Sequence, residues 1–388
     1  MRKINYHKDS KVFESFKEEY SKCILDSNLL NKTEAKQLLK NIGIQYSLEE
    51  ILVLPIEKLI KLPELDSSNV FKGLDKEQTR LEKSRIKGLF NYTAYQTNIL
   101  SNFFMKHSKE LKIKTCCYCN IDFVNPYIPF SNDYMDFYHF INSCTKADLL
   151  KINNIGSNRA DIIISKYQDK IKRYEDIENL IDDTRIRNTL KNLTDKSGIL
   201  KIENSLIQNK NHFTLDHVLP QSLYPYLSLC LFNLTPSCYS CNSKLKKDTK
   251  IYSSISEIKS ISPTGINGVF NLNFKIYFKD GFDKNNLPDT ANEYSIKIDS
   301  AHKEYIKRLN LQGRYNFHKD ISFELIDKRK TYSDSQIQEI VTLFGEKNIE
   351  INEIQLKKQI FGSVIFEEDS NAQFEKYKKD IAKQLDII

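Results

Sequence analysis

Two cysteine pairs are the residues of this sequence best suited to bind a metal. Cys116 and Cys119 form the first pair, Cys238 and Cys241 form the second, and two residues separate the members of each pair. This spacing lets two thiolates bind one zinc ion from a tight turn, and two such turns complete a four-thiolate structural site. The sequence therefore predicts a structural Zn²⁺ site held by these four cysteines.

Cys117 is an alternative to Cys116 as a ligand because the two are adjacent. Only one residue separates Cys117 from Cys119, and this spacing fits a zinc-binding turn poorly. We therefore assign Cys116 as the ligand. Clustered cysteines in a chain of 388 residues indicate metal binding in a reducing compartment rather than a disulfide framework.

Four polar residues precede or follow the second cysteine pair, namely Asp216, His217, Asn233 and Asn242. The side-chain oxygens of Asp216 and Asn242 are ligands that a hard divalent cation prefers. The imidazole of His217 has a pKa suited to removing a proton from water near neutral pH. Hydrolysis of a phosphodiester needs such a base, together with a cation such as Mg²⁺ or Mn²⁺ that neutralises charge on the phosphate. The sequence therefore predicts that Asp216 and Asn242 bind a catalytic cation beside His217.

The order of elements around these residues favours a known type of nuclease core. Apolar alternation over 212–218 predicts a strand that ends near His217, and Asn242 directly follows Cys241 at the start of a predicted helix. Residues 115–125 and 212–250 resemble HNH endonucleases with a ββα-metal core, in the zinc-bearing variant of phage junction resolvases and bacterial defence nucleases. The resemblance implies that Asn233 hydrogen-bonds backbone groups and fixes the loop that orients His217.

A separate motif lies between the two cysteine pairs. Residues 149–163 resemble a helix-hairpin-helix, a motif of many DNA-binding proteins. Its apolar stripe is predicted to contain Leu149, Ile152, Ile155, Ala160 and Ile163.

Three hairpin residues, Gly156, Ser157 and Arg159, are predicted to contact the DNA backbone. Backbone N–H groups at a helix N-terminus can bind a phosphate, and we expect Gly156 to need a positive φ. An insertion that only packs or docks a partner is the alternative, because acidic and basic residues balance across 146–183.

Three lysines follow the second cysteine pair, namely Lys244, Lys246 and Lys247. Their place beside the predicted metal site favours contact with phosphate, and the alternative is a solvated helix face.

The sequence predicts an α+β fold with four regions. Residues 1–110 form a helical N-terminal region, 111–255 the nuclease core, 127–205 the helix-hairpin-helix insertion within that core, and 256–388 a mixed α/β C-terminal region. Alternating apolar residues predict strands near 270–278 and 294–298, and a short strand is expected at 121–124.

The composition sets limits on partners and location. The net charge of +7 permits binding to a polyanion such as nucleic acid. No apolar run approaches the roughly 18 residues needed to cross a bilayer, and no apolar signal core follows Met1. We expect a cytoplasmic protein with no membrane partner.

These patterns predict a metal-dependent endonuclease that cleaves DNA, with RNA left open as a substrate. Residues 216–225 look similar to nucleases of bacterial anti-phage systems, which implies a role in antiviral defence and an ATPase subunit as partner. One alternative is a junction-resolving or repair nuclease. Another is a zinc-dependent nucleic-acid-binding or scaffolding subunit without catalysis.

Overall fold

The chain divides into two compact units in a computed structural model. The residues that the model describes are 3, 4, 6, 9–127, 134–201, 210–265, 272–278, 281, 283, 286–368 and 370–388. The larger unit comprises residues 1–100, 109–124 and 213–388, and the smaller unit comprises 101–108 and 125–212. Both cysteine pairs therefore belong to the larger unit, and the segment predicted as an insertion belongs to the smaller one.

Helices make up most of the regular structure. Side-chain caps begin many of them: Asp9 accepts from the first turn of the first helix, and Asn31 accepts from that of the second. In chain order the α-helices within the described ranges are α1 Ser10–Leu25, α2 Lys32–Ile42, α3 Leu48–Leu52, α4 Ile56–Leu59, α5 Lys76–Leu89, α6 Tyr92–Tyr95, α7 Ser101–Lys106, α8 Phe137–Ser143, α9 Lys146–Leu149, α10 Ser157–Ile162, α11 Tyr174–Leu180, α12 Thr184–Asn192, α13 Ile258–Ile261, α14 Lys303–Arg308, α15 Leu311–Phe317, α16 Lys319–Thr331, α17 Asp334–Glu346, α18 Glu353–Phe361 and α19 Glu375–Gln384.

Short segments of other helical types complete the set. The π-helical segments are Gln96–Leu100, Ile163–Tyr167 and Ser240–Lys246. The 3₁₀ segments are Leu65–Ser67, Asn69–Phe71, Pro225–Leu227, Leu231–Asn233, Ile255–Glu257 and Ser363–Phe366.

The strands pair as antiparallel ribbons. In the described part of the chain they are β1 Pro126–Tyr127 with β2 Lys210–Asn211, β3 Thr214–His217 with β4 Leu234–Ser237, and β5 Asn273–Tyr277 with β6 Ser295–Asp299. The strand expected at 121–124 is wrong, because that segment contributes one isolated bridge between Thr115 and Phe123. The predicted pairing of the two C-terminal strands is confirmed by β5 and β6, although residues 266–271 lie outside the described residues.

The smaller unit has a hydrophobic core of its own. Phe137 and Phe140 of α8 are fully buried, and the apolar stripe predicted for the hairpin segment joins the same cluster. The buried members of that stripe are Leu149, Ile152, Ile155, Ala160 and Ile163. Their burial explains the three- and four-residue spacing of apolar positions in this segment.

In the larger unit the C-terminal helices pack on the β5–β6 ribbon. Gln312 and Asn316 of α15 accept hydrogen bonds from the backbone N–H groups of β6. Asp380 and Gln384 of α19 accept from the backbone N–H groups of β5. These side chains satisfy the outer edges of a two-stranded ribbon, which is marginally stable by itself. Mixed helical and strand structure is thus confirmed as the coarse fold class.

Candidate functional site

The four cysteines predicted to bind zinc lie together. The Sγ atoms of Cys116, Cys119, Cys238 and Cys241 are all within 4.8 Å of one another, and all four residues are buried. Cys117 is outside this group, although it is equally buried. Four thiolates at such distances match the donor set of a structural zinc site, so these residues can hold a metal such as Zn²⁺.

Backbone N–H groups surround the cysteine sulfurs. The N–H of Cys238 lies 3.3 Å from Sγ of Cys116, and that of Ile121 lies 3.4 Å from Sγ of Cys119. Burial by itself raises the pKa of the Cys119 thiol, but hydrogen bonds from the other three cysteines and the charge of Arg314 hold that pKa well below its usual value. Burial raises the pKa of the Cys116 thiol well above its usual value, and the pKa of Cys241 is raised as well. Among these sulfurs the thiolate form is therefore favoured at Cys119 and disfavoured at Cys116 and Cys241, and a bound cation would stabilise the thiolate form that zinc needs.

His217 ends strand β3, and a backbone carbonyl holds its ring. Its Nε2 lies 2.9 Å from the carbonyl oxygen of Ser228, and the ring of Tyr92 packs edge-on against it at 4.6 Å between centroids. Because a carbonyl can only accept a hydrogen bond, we assign the proton to Nε2. The lone pair for proton transfer is then on Nδ1.

Burial lowers the pKa of His217 below its ordinary value. The imidazole is consequently neutral at neutral pH, which is the protonation state that a general base requires.

The N-terminal region helps to fix the carbonyl that orients His217. The hydroxyl of Ser228 donates to the carbonyl of Phe90, and that of Tyr20 donates to the carbonyl of Leu229, each at 2.8 Å. The hydroxyl of Tyr92 donates to the carbonyl of Leu215 in β3, also at 2.8 Å. The aromatic residues near position 90 therefore pack against the strand and loop that carry His217.

Asn233 joins the two ends of the loop between β3 and β4. Its Oδ1 accepts from the N–H of Leu219 at 2.7 Å, and its Nδ2 donates to the carbonyls of Leu219 and Leu227 at 3.3 and 3.1 Å. Asn233 is fully buried, so these hydrogen bonds satisfy an amide that solvent does not reach. Ser228 directly follows Leu227, and the hydrogen bonds of Asn233 thereby restrain the loop that holds His217.

Asp216 is buried and bonded at both carboxylate oxygens. Oδ2 accepts from the hydroxyl of Tyr118 at 2.6 Å, and Oδ1 accepts from Nζ of Lys246 at 3.1 Å. Tyr118 lies between the first pair of cysteines, so this hydrogen bond links the cysteine cluster to the strand of His217. A buried carboxylate needs such partners because desolvation without them is costly.

Lys246 does not lie on an exposed helix face with Lys244 and Lys247. Its side chain is 1% exposed, and its Nζ donates to Asp216 and, at 2.7 Å, to the carbonyl of His217. The π-helical turn of Ser240–Lys246 carries the ammonium inward, and Lys247, with φ of +52°, turns the chain away. The expectation of phosphate contact by Lys246 has to be corrected for this reason.

Asn242 is held against the start of strand β3. Its Nδ2 lies 2.9 Å from Oγ1 of Thr214 and 3.4 Å from the carbonyl of Leu215. Asp216 and Asn242 each offer an oxygen to a divalent cation, but the charge of Asp216 is already balanced by Lys246. The donor set thus fits a hard cation only in part, since the cation has to share Asp216 with an ammonium or displace it.

An open cleft of about 340 Å³ reaches these residues. Asp216, His217 and Asn242 line it, and exposed Lys87 of α5 and Lys247 lie at its border. Lys87 was missed by sequence reasoning, since nothing in the charge pattern of α5 distinguishes it from neighbouring lysines. Lys244 is exposed and lies 5.8 Å from the ring of Tyr239.

The hairpin residues lie in the smaller unit, and their backbone differs from expectation. Gly156 precedes α10 with φ of −89°, and the positive φ belongs to Asn154, at +70°. The requirement for a positive φ at Gly156 is therefore wrong. Ser157 begins α10, and Nη1 of Arg159 donates to the carbonyl of Asn154 at 2.6 Å, which closes the turn.

Substitutions at Asn154 and at Gly156 should differ in their effect on the free energy of unfolding. Asn154→Val should lower the free energy of unfolding by about 1–3 kcal/mol, because a β-branched residue is strained at positive φ. Gly156→Ala is the matched control, since a Cβ there meets no atom within 4 Å and the φ suits any residue. Urea unfolding of both variants measures the difference, and equal destabilisation would contradict this assignment of the turn.

Comparison of the chain with protein-family models, with curated proteins and with solved structures gave no match. None of the helices in the described ranges is both long and apolar enough to cross a membrane.

Proposed function

We propose that this protein is a metal-dependent endonuclease of the HNH type that hydrolyses phosphodiester bonds in DNA. The observation that carries the proposal is the state of His217. Its Nε2 is bonded to a carbonyl, its pKa is lowered by burial, and it borders an open cleft with Asp216 and Asn242. A neutral, oriented imidazole beside oxygen donors is the arrangement that hydrolysis of a phosphodiester needs.

Each residue of this cleft has a distinct role in the proposal. Nδ1 of His217 accepts the proton of the attacking water. Asn233 restrains the loop that supplies the carbonyl of Ser228, and thus keeps the ring oriented. When bound by Asp216 and Asn242, Mg²⁺ or Mn²⁺ supplies neutralisation of charge on the phosphate. The zinc site stabilises this scaffold and takes no part in the reaction.

Exposed lysines support nucleic acid as the substrate. Lys87 and Lys247 border the cleft, and Lys244 extends the positive charge along the same segment as Lys247. Such lysines contact backbone phosphates and orient a nucleic acid without reading its sequence. In the smaller unit, the hairpin around Gly156, Ser157 and Arg159 is proposed as a second contact to the DNA backbone.

Plasmid cleavage tests the proposal directly. Zinc-loaded protein is incubated with supercoiled plasmid and Mg²⁺ or Mn²⁺, and nicked and linear products are separated on a gel. We expect cleavage that requires the added cation and is abolished by its chelation. Single-stranded RNA is tested in parallel, and failure to cleave either nucleic acid with both cations contradicts the proposal.

A second candidate is a zinc-dependent nucleic-acid-binding or scaffolding subunit without catalysis. The ion pair of Lys246 with Asp216 favours it, because this pair already compensates the charge that a catalytic cation would neutralise. Binding of DNA with an unchanged affinity in the presence of Mg²⁺, and without cleavage, supports this candidate.

The Lys246 side chain gives a prediction that separates the two candidates. Lys246→Met leaves Asp216 as an uncompensated buried charge, which typically costs about 3–5 kcal/mol. If Asp216 binds a divalent cation, Mn²⁺ should restore part of the lost melting temperature of Lys246→Met and should affect wild type much less. Thermal unfolding with and without Mn²⁺ measures both effects.

Lys247→Met is the matched control, because Lys247 is adjacent and exposed. Its melting temperature should equal that of wild type under both conditions. Loss of stability in Lys246→Met without any rescue by Mn²⁺ would argue that Asp216 is a structural residue, as in the second candidate.

A role in antiviral defence with an ATPase partner is proposed from the resemblance of residues 216–225 alone. Coexpression with an ATPase encoded beside the gene, followed by copurification, tests this partner. A chain that stays free of the ATPase and cleaves DNA without it fits the repair or junction-resolving alternative.

A further inference from the structure

The C-terminal region reaches the cysteine cluster through Arg314 of α15. Its Nη1 lies 3.2 Å from Sγ of Cys241, and its Nη2 lies 3.4 Å from Sγ of Cys119. One guanidinium therefore contacts one cysteine from each pair. Nη2 also lies 3.2 Å from Oδ2 of Asp122. The same carboxylate oxygen lies 3.9 Å from Sγ of Cys119.

Neighbouring side chains hold Arg314 in this position. The hydroxyl of Tyr315 donates to the carbonyl of Cys119 at 2.6 Å, and that of Tyr305 donates to the carbonyl of Tyr118 at 2.8 Å. Both tyrosines are buried, and α15 is bonded to β6 through Gln312. Arg314 therefore projects from a helix that these hydrogen bonds hold in place, and its guanidinium is more restrained than that of an exposed surface arginine.

Charge explains what such a guanidinium does. Zinc bound by four thiolates leaves the group with a net negative charge of two, and the carboxylate of Asp122 adds another beside it. Arg314 is 18% exposed, so its charge is only partly screened by solvent. Hydrogen bonds from a cation to metal ligands are strong, and partners of this kind commonly change metal affinity by about 10- to 100-fold.

We propose that Arg314 belongs to the metal centre. Its guanidinium hydrogen-bonds one cysteine of each pair and thereby slows the release of zinc. The C-terminal region then has a defined task, namely to keep the metal in the site. This inference depends on zinc binding by the four cysteines and is independent of the nuclease activity.

Zinc release from the full chain tests the proposal. Zinc-loaded protein is mixed with excess EDTA, samples are taken over time, and the zinc that stays with the protein is measured. Arg314→Met removes the charge at similar size, and we expect release about 10- to 100-fold faster than from wild type. Arg314→Lys keeps the charge but loses the forked geometry, so its release should be intermediate.

Two controls distinguish this role from general loosening of the fold. Arg308→Met removes an exposed arginine of α14 that pairs with Glu304, and its release rate should equal that of wild type. Tyr315→Phe removes the hydrogen bond to the carbonyl of Cys119 without altering charge, and it should have a smaller effect than Arg314→Met. Equal acceleration by Tyr315→Phe overturns the proposal.

A spectroscopic readout covers variants that lose zinc too fast to follow. In Co²⁺-loaded protein, the thiolate-to-metal charge-transfer absorption should shift in both Arg314 variants and stay unchanged in Arg308→Met. Should Arg314→Met fail to fold, Arg314→Lys decides the question by itself. The proposal is overturned if the Arg314 variant that folds releases zinc within twofold of the wild-type rate and its Co²⁺ absorption is unshifted.

Discussion

His217→Ala is expected to lower the rate of plasmid cleavage by about 10²- to 10⁴-fold, the usual cost of losing a general base. The substitution removes Nδ1, the atom that we propose accepts the proton of the attacking water. Zinc content and DNA affinity should stay close to those of wild type, because His217 contacts neither the cysteine cluster nor the bordering lysines. Single-turnover cleavage in Mg²⁺ and Mn²⁺ measures the loss.

Two variants make this result interpretable. His217→Asn keeps an amide that can donate toward the carbonyl of Ser228 but lacks a base, and it should be as inactive as His217→Ala. His212→Ala is the control for loss of another histidine, since His212 does not line the cleft and packs against Tyr127. Undiminished cleavage by a folded His217→Ala protein would show that another group activates the water.

Local spacing explains which parts of the site could be predicted. The two Cys-x-x-Cys pairs each form a short turn, so sequence alone distinguishes Cys116 from Cys117. The turn within each cysteine pair follows from residue type and spacing, whereas the approach of the two pairs depends on the fold. The hydrogen bonds of Asn233 within the loop between β3 and β4 are implied by the resemblance to HNH endonucleases and not by spacing.

Distant or inward-facing residues could not be found in this way. Tyr92 packs against His217, and the carbonyl of Phe90 accepts from Ser228, in each case from a region far earlier in the sequence. Arg314 reaches the cysteines from the C-terminal region. The sequence groups Lys246 with Lys244 and Lys247 as predicted phosphate contacts, with a solvated helix face as the alternative. The place of Lys246 four residues after Asn242 was an available signal, because that spacing directs both side chains toward one helix face.

The hairpin shows how a residue type can mislead. Glycine favours positive φ, and the sequence offers Gly156 in the turn. In the structure the left-handed residue is Asn154, a type that also tolerates this conformation. Gly156 instead begins a helix from an extended backbone, where many residues would serve.

Loss of one of the four cysteines proposed to bind zinc should have the largest effect on stability. Cys241→Ala removes a buried thiolate from the cluster, and apparent binding energies of about 10–16 kcal/mol for structural zinc are comparable to the whole stability of a domain, about 5–15 kcal/mol. We expect the larger unit of this variant to lose zinc and to precipitate or melt far below wild type. Elemental analysis should return about one zinc per wild-type chain.

Cys117→Ala is the matched control, because Cys117 is as buried as the ligands but lies outside the cluster. It should keep a full complement of zinc and lose only the packing of one sulfur atom. Cys116→Ala should behave like Cys241→Ala, since each pair supplies half of the donors. If Cys117→Ala lost zinc as readily as Cys116→Ala, the metal would have to be bound by a different set of thiolates.

The hydrogen bond from Tyr118 to Asp216 gives this comparison a functional consequence. Loss of the first cysteine turn releases a hydrogen bond to the carboxylate beside His217, so zinc-free protein should lose cleavage activity together with its fold.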